Sequence, residues 1–201
     1  MTSDLIHLCA ADPVLAGIIE RVGAFEPTHR GDPFTALARA IVGQQISVHA
    51  AAAVWGRVAA ACEPAGGLSP ATIATLPDDG LRACGLSRTK TAYMKDLAAH
   101  FLDGTVVAEE LPAMEDEAII EHLTRVKGIG RWTAEMFLIF HLMRPDVLPV
   151  DDLGLRRAME RAYNDGEPLT RDEMRELGAA WSPWSSVATW YLWRSLDPVS
   201  F

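Results

Sequence analysis

Lysine is almost missing from this chain, with three among 201 residues, at positions 90, 95 and 127. Arginine brings the basic total only to 18 against 27 acidic residues, for a formal charge of −9 and a pI near 5.1. Most duplex nucleic-acid binders carry the opposite balance. The arginines are unevenly spread, gathering at Arg125, Arg131, Arg144, Arg156, Arg157 and Arg161. A local basic face on an acidic protein therefore stays open, and it would release few counterions and show a shallow salt dependence.

Cysteine is equally scarce. Cys9, Cys62 and Cys84 are too few and too dispersed for a zinc site or an iron-sulfur cluster, so a reducing cytoplasm is expected. Six histidines show no short metal-ligand spacing, which points away from metal catalysis. No apolar run reaches the roughly 18 residues that a membrane span needs. The first twenty residues carry Asp4, Asp12 and Glu20 without a positively charged start, so no secretory signal is expected. With 49% hydrophobic residues the chain can bury a core in one domain, or in two small ones.

Strand-like alternation with hairpin turns is missing too. What is present is helical spacing, as in Phe34, Leu37, Ala38 and Ile41, or Tyr93, Leu97 and Phe101. Asp12-Pro13, Asp32-Pro33, Ser69-Pro70 and Ser182-Pro183 each set a capping side chain before a proline suited to a first helical turn. The apolar run Met136 to Met143 reads as buried helix. Glycine and proline cluster at 63–70, 103–112 and 144–149, dividing the chain into helical blocks, and no internal repeat is visible. The fold is expected to be all-α.

Chemistry enters with Val126-Lys127-Gly128-Ile129-Gly130-Arg131-Trp132-Thr133-Ala134, followed by Leu148-Pro149-Val150-Asp151-Asp152. Gly128 can end one helix in a left-handed turn, Gly130 lets the backbone approach a ligand, and a new helix begins near Arg131. Amides converging at a helix start make an anion site that needs no basic side chain, and a phosphate fits it. Asp151-Asp152 precede a helical pattern through Leu155, Met159 and Tyr163. One aspartate can cap that helix while its neighbour acts as a carboxylate that stabilises positive charge on a sugar and orients a water. Four of the six tryptophans lie between Trp181 and Trp193, with Tyr191 among them. Most should fill a C-terminal core, and one or two can wall a pocket that stacks on a flat cationic ligand, such as an alkylated purine.

These residues together resemble the helix-hairpin-helix (HhH-GPD) DNA glycosylases of the 3-methyladenine DNA glycosylase II (AlkA) type. The resemblance runs from about Asp12 to Leu196. It is carried by Phe34, Ile41-Val42-Gly43-Gln44-Gln45-Ile46-Ser47, Gly85-Leu86-Ser87 with Lys90, the hairpin, Pro149-Val150-Asp151-Asp152 and Trp181-Ser182-Pro183-Trp184. It implies Asp152 as the catalytic carboxylate, with Asp151 as its capping neighbour. It implies DNA contacts at Gln45, Lys127, Gly128, Gly130, Arg131 and Thr133, with Gln45 as the wedge that fills the gap left by a flipped base. Arg157 is a further candidate phosphate contact. Trp132 and Trp193 fall on pocket walls, and Met136 stands where a stacking aromatic is expected.

Lyase-active members carry a Schiff-base lysine where this chain has Trp132, so hydrolysis alone is implied. No cofactor is expected beyond a sodium or potassium ion at hairpin carbonyls near Val126 and Ile129. The implied architecture is a helical subdomain over 32–144 ending in the hairpin, and a second one from 1–31 plus 145–201. An active-site cleft would lie between them, entered by Asp152. The extra N-terminal domain of larger members is expected to be absent. The partner would be double-stranded DNA with alkylated bases, met by a cytoplasmic, nucleoid-associated monomer with no membrane role. Two alternatives stand beside this one: a glycosylase for an oxidised or mismatched base, and a noncatalytic helix-hairpin-helix module that only holds DNA backbone.

Overall fold

The computed structural model describes residues 2–24 and 31–196. The ends of the expected second subdomain at 25–30 and 197–201 lie outside the described residues. Within the described residues every regular element is helical. In chain order these are α1 (Ser3–Ala11), α2 (Pro13–Val22), α3 (Pro33–Gly43), α4 (Val48–Cys62), α5 (Pro70–Thr75), α6 (Asp78–Ala83), α7 (Arg88–Leu102), α8 (Asp116–Leu123), α9 (Arg131–Phe140), α10 (Leu153–Tyr163), α11 (Arg171–Gly178) and α12 (Ser185–Arg194). No helix among them is long and apolar enough to cross a membrane.

Local chemistry explains most of the helix starts. Asp12, Asp32 and Ser69 each accept an amide three residues on, from Leu15 at 2.9 Å, Thr35 at 3.0 Å and Thr72 at 3.1 Å, with proline at the first helical position. Each cap is worth about 1 kcal/mol against alanine. Ser182-Pro183 behaves otherwise. The peptide is cis, the Ser182 hydroxyl donates to Asp146 at 2.6 Å, and α12 begins only at Ser185 with Trp184 at its N-cap, so Ser182 stands too far ahead of the helix to cap it. The run Met136 to Met143 is also only partly helical. Helix α9 stops at Phe140, and Met143 is left-handed at φ 54° and exposed.

The chain divides into two compact units, one from 1–28 with 138–201 and the other spanning 29–137, with the division inside the last turn of α9. In the first, Leu8, Leu15, Ile18, Leu155, Met159, Met174, Trp181 and Tyr191 form the core. Asp12 is built into it, its Oδ2 accepting from Tyr163 Oη–H at 2.7 Å and Trp181 Nε1–H at 2.8 Å. The Tyr163 hydroxyl is pushed well above its ordinary pKa, first by burial and then by that carboxylate. Trp181 and Tyr191 are thus core residues. In the second unit α7 packs on α3 and α5, with Leu37, Ile41, Ile73, Met94 and Leu97 fully buried. Phe34 meets Phe101 edge-on at 5.3 Å.

Candidate functional site

In the first unit the chain turns at Pro149, whose carbonyl accepts from the Asp152 amide at 2.9 Å, and Leu153 then opens α10. An N-cap must directly precede the first helical residue. Asp152 therefore takes that place itself, its Oδ1 accepting from the Leu155 amide at 2.6 Å. The expected split between a capping Asp151 and a separate Asp152 is corrected here. Asp151 is exposed and ion-paired with Arg171, while one aspartate is both cap and candidate catalytic group.

Asp152 is 9% exposed and has a second donor in Trp193, whose Nε1–H reaches the same Oδ1 at 2.7 Å. The half-buried indole stacks on Phe140, with centroids 5.6 Å apart and planes at 18°. Gly154 lets it come close, because a Cβ there would stand 3.1 Å from Asp152 Oδ1 and 3.2 Å from Trp193 Cδ1. Two N–H donors from different elements thus fix the carboxylate's rotation. The family resemblance implied a pocket-wall place for Trp193, and nothing in the sequence signalled its bond to Asp152. Trp193→Phe keeps a stacking ring and removes the N–H. It should lower single-turnover chemistry about tenfold, the equivalent of 1.4 kcal/mol, with substrate affinity nearly unchanged. An unchanged rate constant would show that the bond does not position the carboxylate.

A separate small pocket in this unit, about 160 Å³, is lined by Phe140, Met143, Trp184 and Trp190 among others. Neither Asp152 nor Trp193 lines it.

In the second unit, α8 and α9 flank the glycine hairpin. Val126 and Ile129 are buried, and the Ile129 amide bonds back to the Val126 carbonyl at 3.1 Å, closing the turn. Gly128 has φ +84°, and Tyr93 lies against it so closely that a Cβ would fall 2.1 Å from the ring. Gly130 is exposed, and its carbonyl accepts the first helical bond from Ala134 at 3.1 Å. The amides of Arg131, Trp132 and Thr133 lie ahead of that bond, at the positive end of the α9 dipole.

The charged and polar side chains of the hairpin are engaged within the protein. Lys127 pairs with Asp96 through both its ammonium, at 3.1 Å, and its backbone amide, at 2.8 Å. Burial pushes the Asp96 carboxyl up, but the Lys127 hydrogen bonds and charge outweigh it and hold the group below its ordinary pKa. Arg131 is bonded to Glu117 and, at 3.0 Å, to the buried Glu135. The Glu117 hydrogen bond leads in raising its pKa further. Thr133 is buried. Trp132 is 44% exposed, Met136 half-buried and Arg157 exposed.

Gln45 sits exposed in the turn between α3 and α4 at φ +58°. A backbone-bonding role falls instead on Gln44, whose Nε2–H donates to the Gly128 carbonyl at 2.7 Å. Ser47 caps α4 by accepting the Ala50 amide at 3.2 Å.

Residues 38–183 match the model of the HhH-GPD superfamily base excision DNA repair proteins. The chain is 32% identical to DNA-3-methyladenine glycosylase 1 of Schizosaccharomyces pombe over 199 residues, covering 97% of this chain and 87% of the relative. Among solved structures it resembles a DNA-3-methyladenine glycosidase from Bacillus halodurans, with 37% identity and a TM-score of 0.87 over 96% of this chain and 88% of that one. It also resembles a 3-methyladenine DNA glycosylase of S. pombe in complex with abasic DNA, at 33% identity and a TM-score of 0.86, covering 96% and 95% of the two chains.

Proposed function

The chain belongs to the HhH-GPD superfamily of base excision DNA repair proteins, and from that premise we propose that it is a monofunctional DNA glycosylase of the 3-methyladenine glycosylase II type. It flips alkylated purines, such as 3-methyladenine and 7-methylguanine, out of duplex DNA and releases them by hydrolysis, leaving an abasic site. The observation that carries this reading is the doubly held Asp152 carboxylate. A helix cap alone has no use for a second N–H donor on the same oxygen. The relatives' names support the substrate class.

The chemistry needs little more. Alkylation on a ring nitrogen makes the purine cationic, so the glycosidic electron pair leaves with the base, which departs neutral without a general acid. The Asp152 carboxylate stabilises the oxocarbenium-like sugar and orients a water. The water oxygen bonds to C1′, and its proton passes to the carboxylate and on to solvent. Trp132 stands where lyase-active members carry lysine, so no Schiff base forms and the strand stays uncut. Trp132, Met136 and Trp193 are the proposed pocket residues. Gln45 is the wedge, and the amides from Gly128 to Thr133 are the phosphate contacts, with Lys127 and Arg131 as their paired flanks.

No cofactor takes part in the reaction. The Val126 carbonyl, which accepts from Ile129 at 3.1 Å, keeps a second lone pair, so with the Ile129 carbonyl it suits a sodium or potassium ion. When bound, that ion supplies positive charge beside the phosphate. The enzyme acts as a monomer on cytoplasmic, nucleoid DNA.

The test is release of free bases from duplex DNA treated with a methylating agent, with borohydride added in a parallel reaction. Methylated purines should appear with no strand cleavage and no covalent trapping on DNA. A trapped complex would overturn the hydrolytic assignment, and release of oxidised rather than methylated bases would overturn the substrate class.

A further inference from the structure

Helix α7 presents three side chains, one turn apart, each of which reaches a partner beyond the helix, although Asp96 also pairs with His100 of α7 itself at 3.5 Å. Lys90 Nζ donates to the Val42 carbonyl at 2.8 Å, at the end of α3 just ahead of the turn that carries Gln45. Tyr93 lies against Gly128 in the hairpin. Asp96 accepts the Lys127 amide at 2.8 Å and pairs with its ammonium. One helix therefore touches the wedge turn with its first turn and the hairpin with its next two. Gln44 closes the circuit from the other side, donating from the wedge turn straight to the Gly128 carbonyl at 2.7 Å.

The chemistry of these contacts is costly unless it holds something in place. Burial lowers the Lys90 pKa, and the half-buried ammonium donates to a backbone carbonyl. Gln45 adopts φ +58°, a left-handed conformation that a non-glycine residue keeps only when its surroundings over-determine it. Bonds at Val42 and Gln44, on the two residues flanking Gly43, supply that constraint.

We propose that Gln44 and Lys90 are positioning residues that bind the wedge turn to the phosphate-gripping hairpin as one rigid piece, so that gripping the backbone sets the depth at which Gln45 enters the stack. The proposal rests on the reading of the chain as a base-flipping glycosylase. Flipping a paired base costs a few kcal/mol, and a wedge delivers that work only if its own turn does not yield. A lesion in single-stranded DNA has no partner to displace, so the coupling matters for duplex substrates and not for single strands.

The experiment compares Gln44→Met and Lys90→Met, each alone and with Gln45→Ala, on oligonucleotides carrying one 7-methylguanine. Single-turnover release is read from duplex and from single strand. A 2-aminopurine beside an abasic-site analogue reports unstacking on binding, without chemistry. Gln44→Met should slow duplex release about tenfold and single-strand release less than twofold, and Gln45→Ala should add little once Gln44 is changed. The fluorescence rise should shrink in parallel. Equal losses on both substrates, or additive losses with Gln45→Ala, would overturn the coupling. Gln44→Glu, which keeps the volume and loses the donor, serves if Gln44→Met lowers the melting temperature. If the wild type releases no base, the glycosylase reading falls, while the fluorescence arm still decides whether Gln44 and Lys90 govern wedge entry.

Discussion

Asp152→Asn is expected to slow release of methylated purines by on the order of 10²- to 10⁴-fold, the range for loss of a positioned acid-base group, with folding and duplex binding retained. The prediction is sharp because asparagine keeps the shape of this side chain and its Oδ1 acceptor while removing the charge and turning Oδ2 into an N–H donor. Its Oδ1 can still accept the Leu155 amide and the Trp193 indole N–H, which the aspartate holds at 2.6 and 2.7 Å. As an N-cap, asparagine matches aspartate. Alanine would mix two effects, removing a cap worth about 1 kcal/mol and leaving the indole N–H without its acceptor at a cost of about 1–3 kcal/mol. The measurement is single-turnover base release beside a thermal melt. Full activity in a well-folded asparagine variant would move the chemistry to another group.

Asp152 also illustrates what a sequence of this kind discloses. Helix caps at Asp12, Asp32 and Ser69 were legible because acceptor and amide lie three residues apart, and the all-helical fold followed from the same local patterns. Ser182 obeyed the same local rule and yet caps nothing, because α12 starts three residues later, at Ser185, and the Ser182 hydroxyl goes to Asp146, 36 residues earlier. The assignment of the cap to Asp151 failed by one residue, the ordinary margin for a helix start read from sequence. The apolar run to Met143 overshot the end of α9, since hydrophobicity does not reveal where a backbone turns left-handed. The polar partnerships were invisible for a related reason. Trp193 reaches Asp152 across 41 residues, Gln44 reaches Gly128 across 84, and Lys90 reaches Val42 across 48. No periodicity encodes such pairs, whereas Gly128 announced itself because its left-handed turn is a local requirement.

Gly128→Ala is expected to lower duplex affinity tenfold or more, and its neighbour Gly130 provides the control. At 128 a methyl group meets two obstacles in the free protein. The backbone is at φ +84°, which costs an L-residue about 1–2 kcal/mol, and the new carbon would lie 2.1 Å from the Tyr93 ring. The ring cannot bend aside like the end of a flexible chain, so either the hairpin or α7 must shift, and the amides lose their common aim. Adding Tyr93→Ala relieves the overlap and should recover part of the binding, leaving the backbone strain. At 130 a Cβ meets nothing within 4 Å, and no left-handed conformation is required. Gly130→Ala therefore leaves the free protein undisturbed, and any affinity it loses measures how closely DNA approaches the hairpin. Lys127 and Arg131 are already paired within the protein, so on the proposed reading the grip is expected to be chiefly through amides. The salt slope of binding should accordingly stay nearly constant across these variants while the affinity falls. Unaltered affinity in Gly128→Ala would take the hairpin out of the interface. Loss at 128 without loss at 130 would instead mean that the phosphate stands off by at least a methyl radius and is held by the helix start alone.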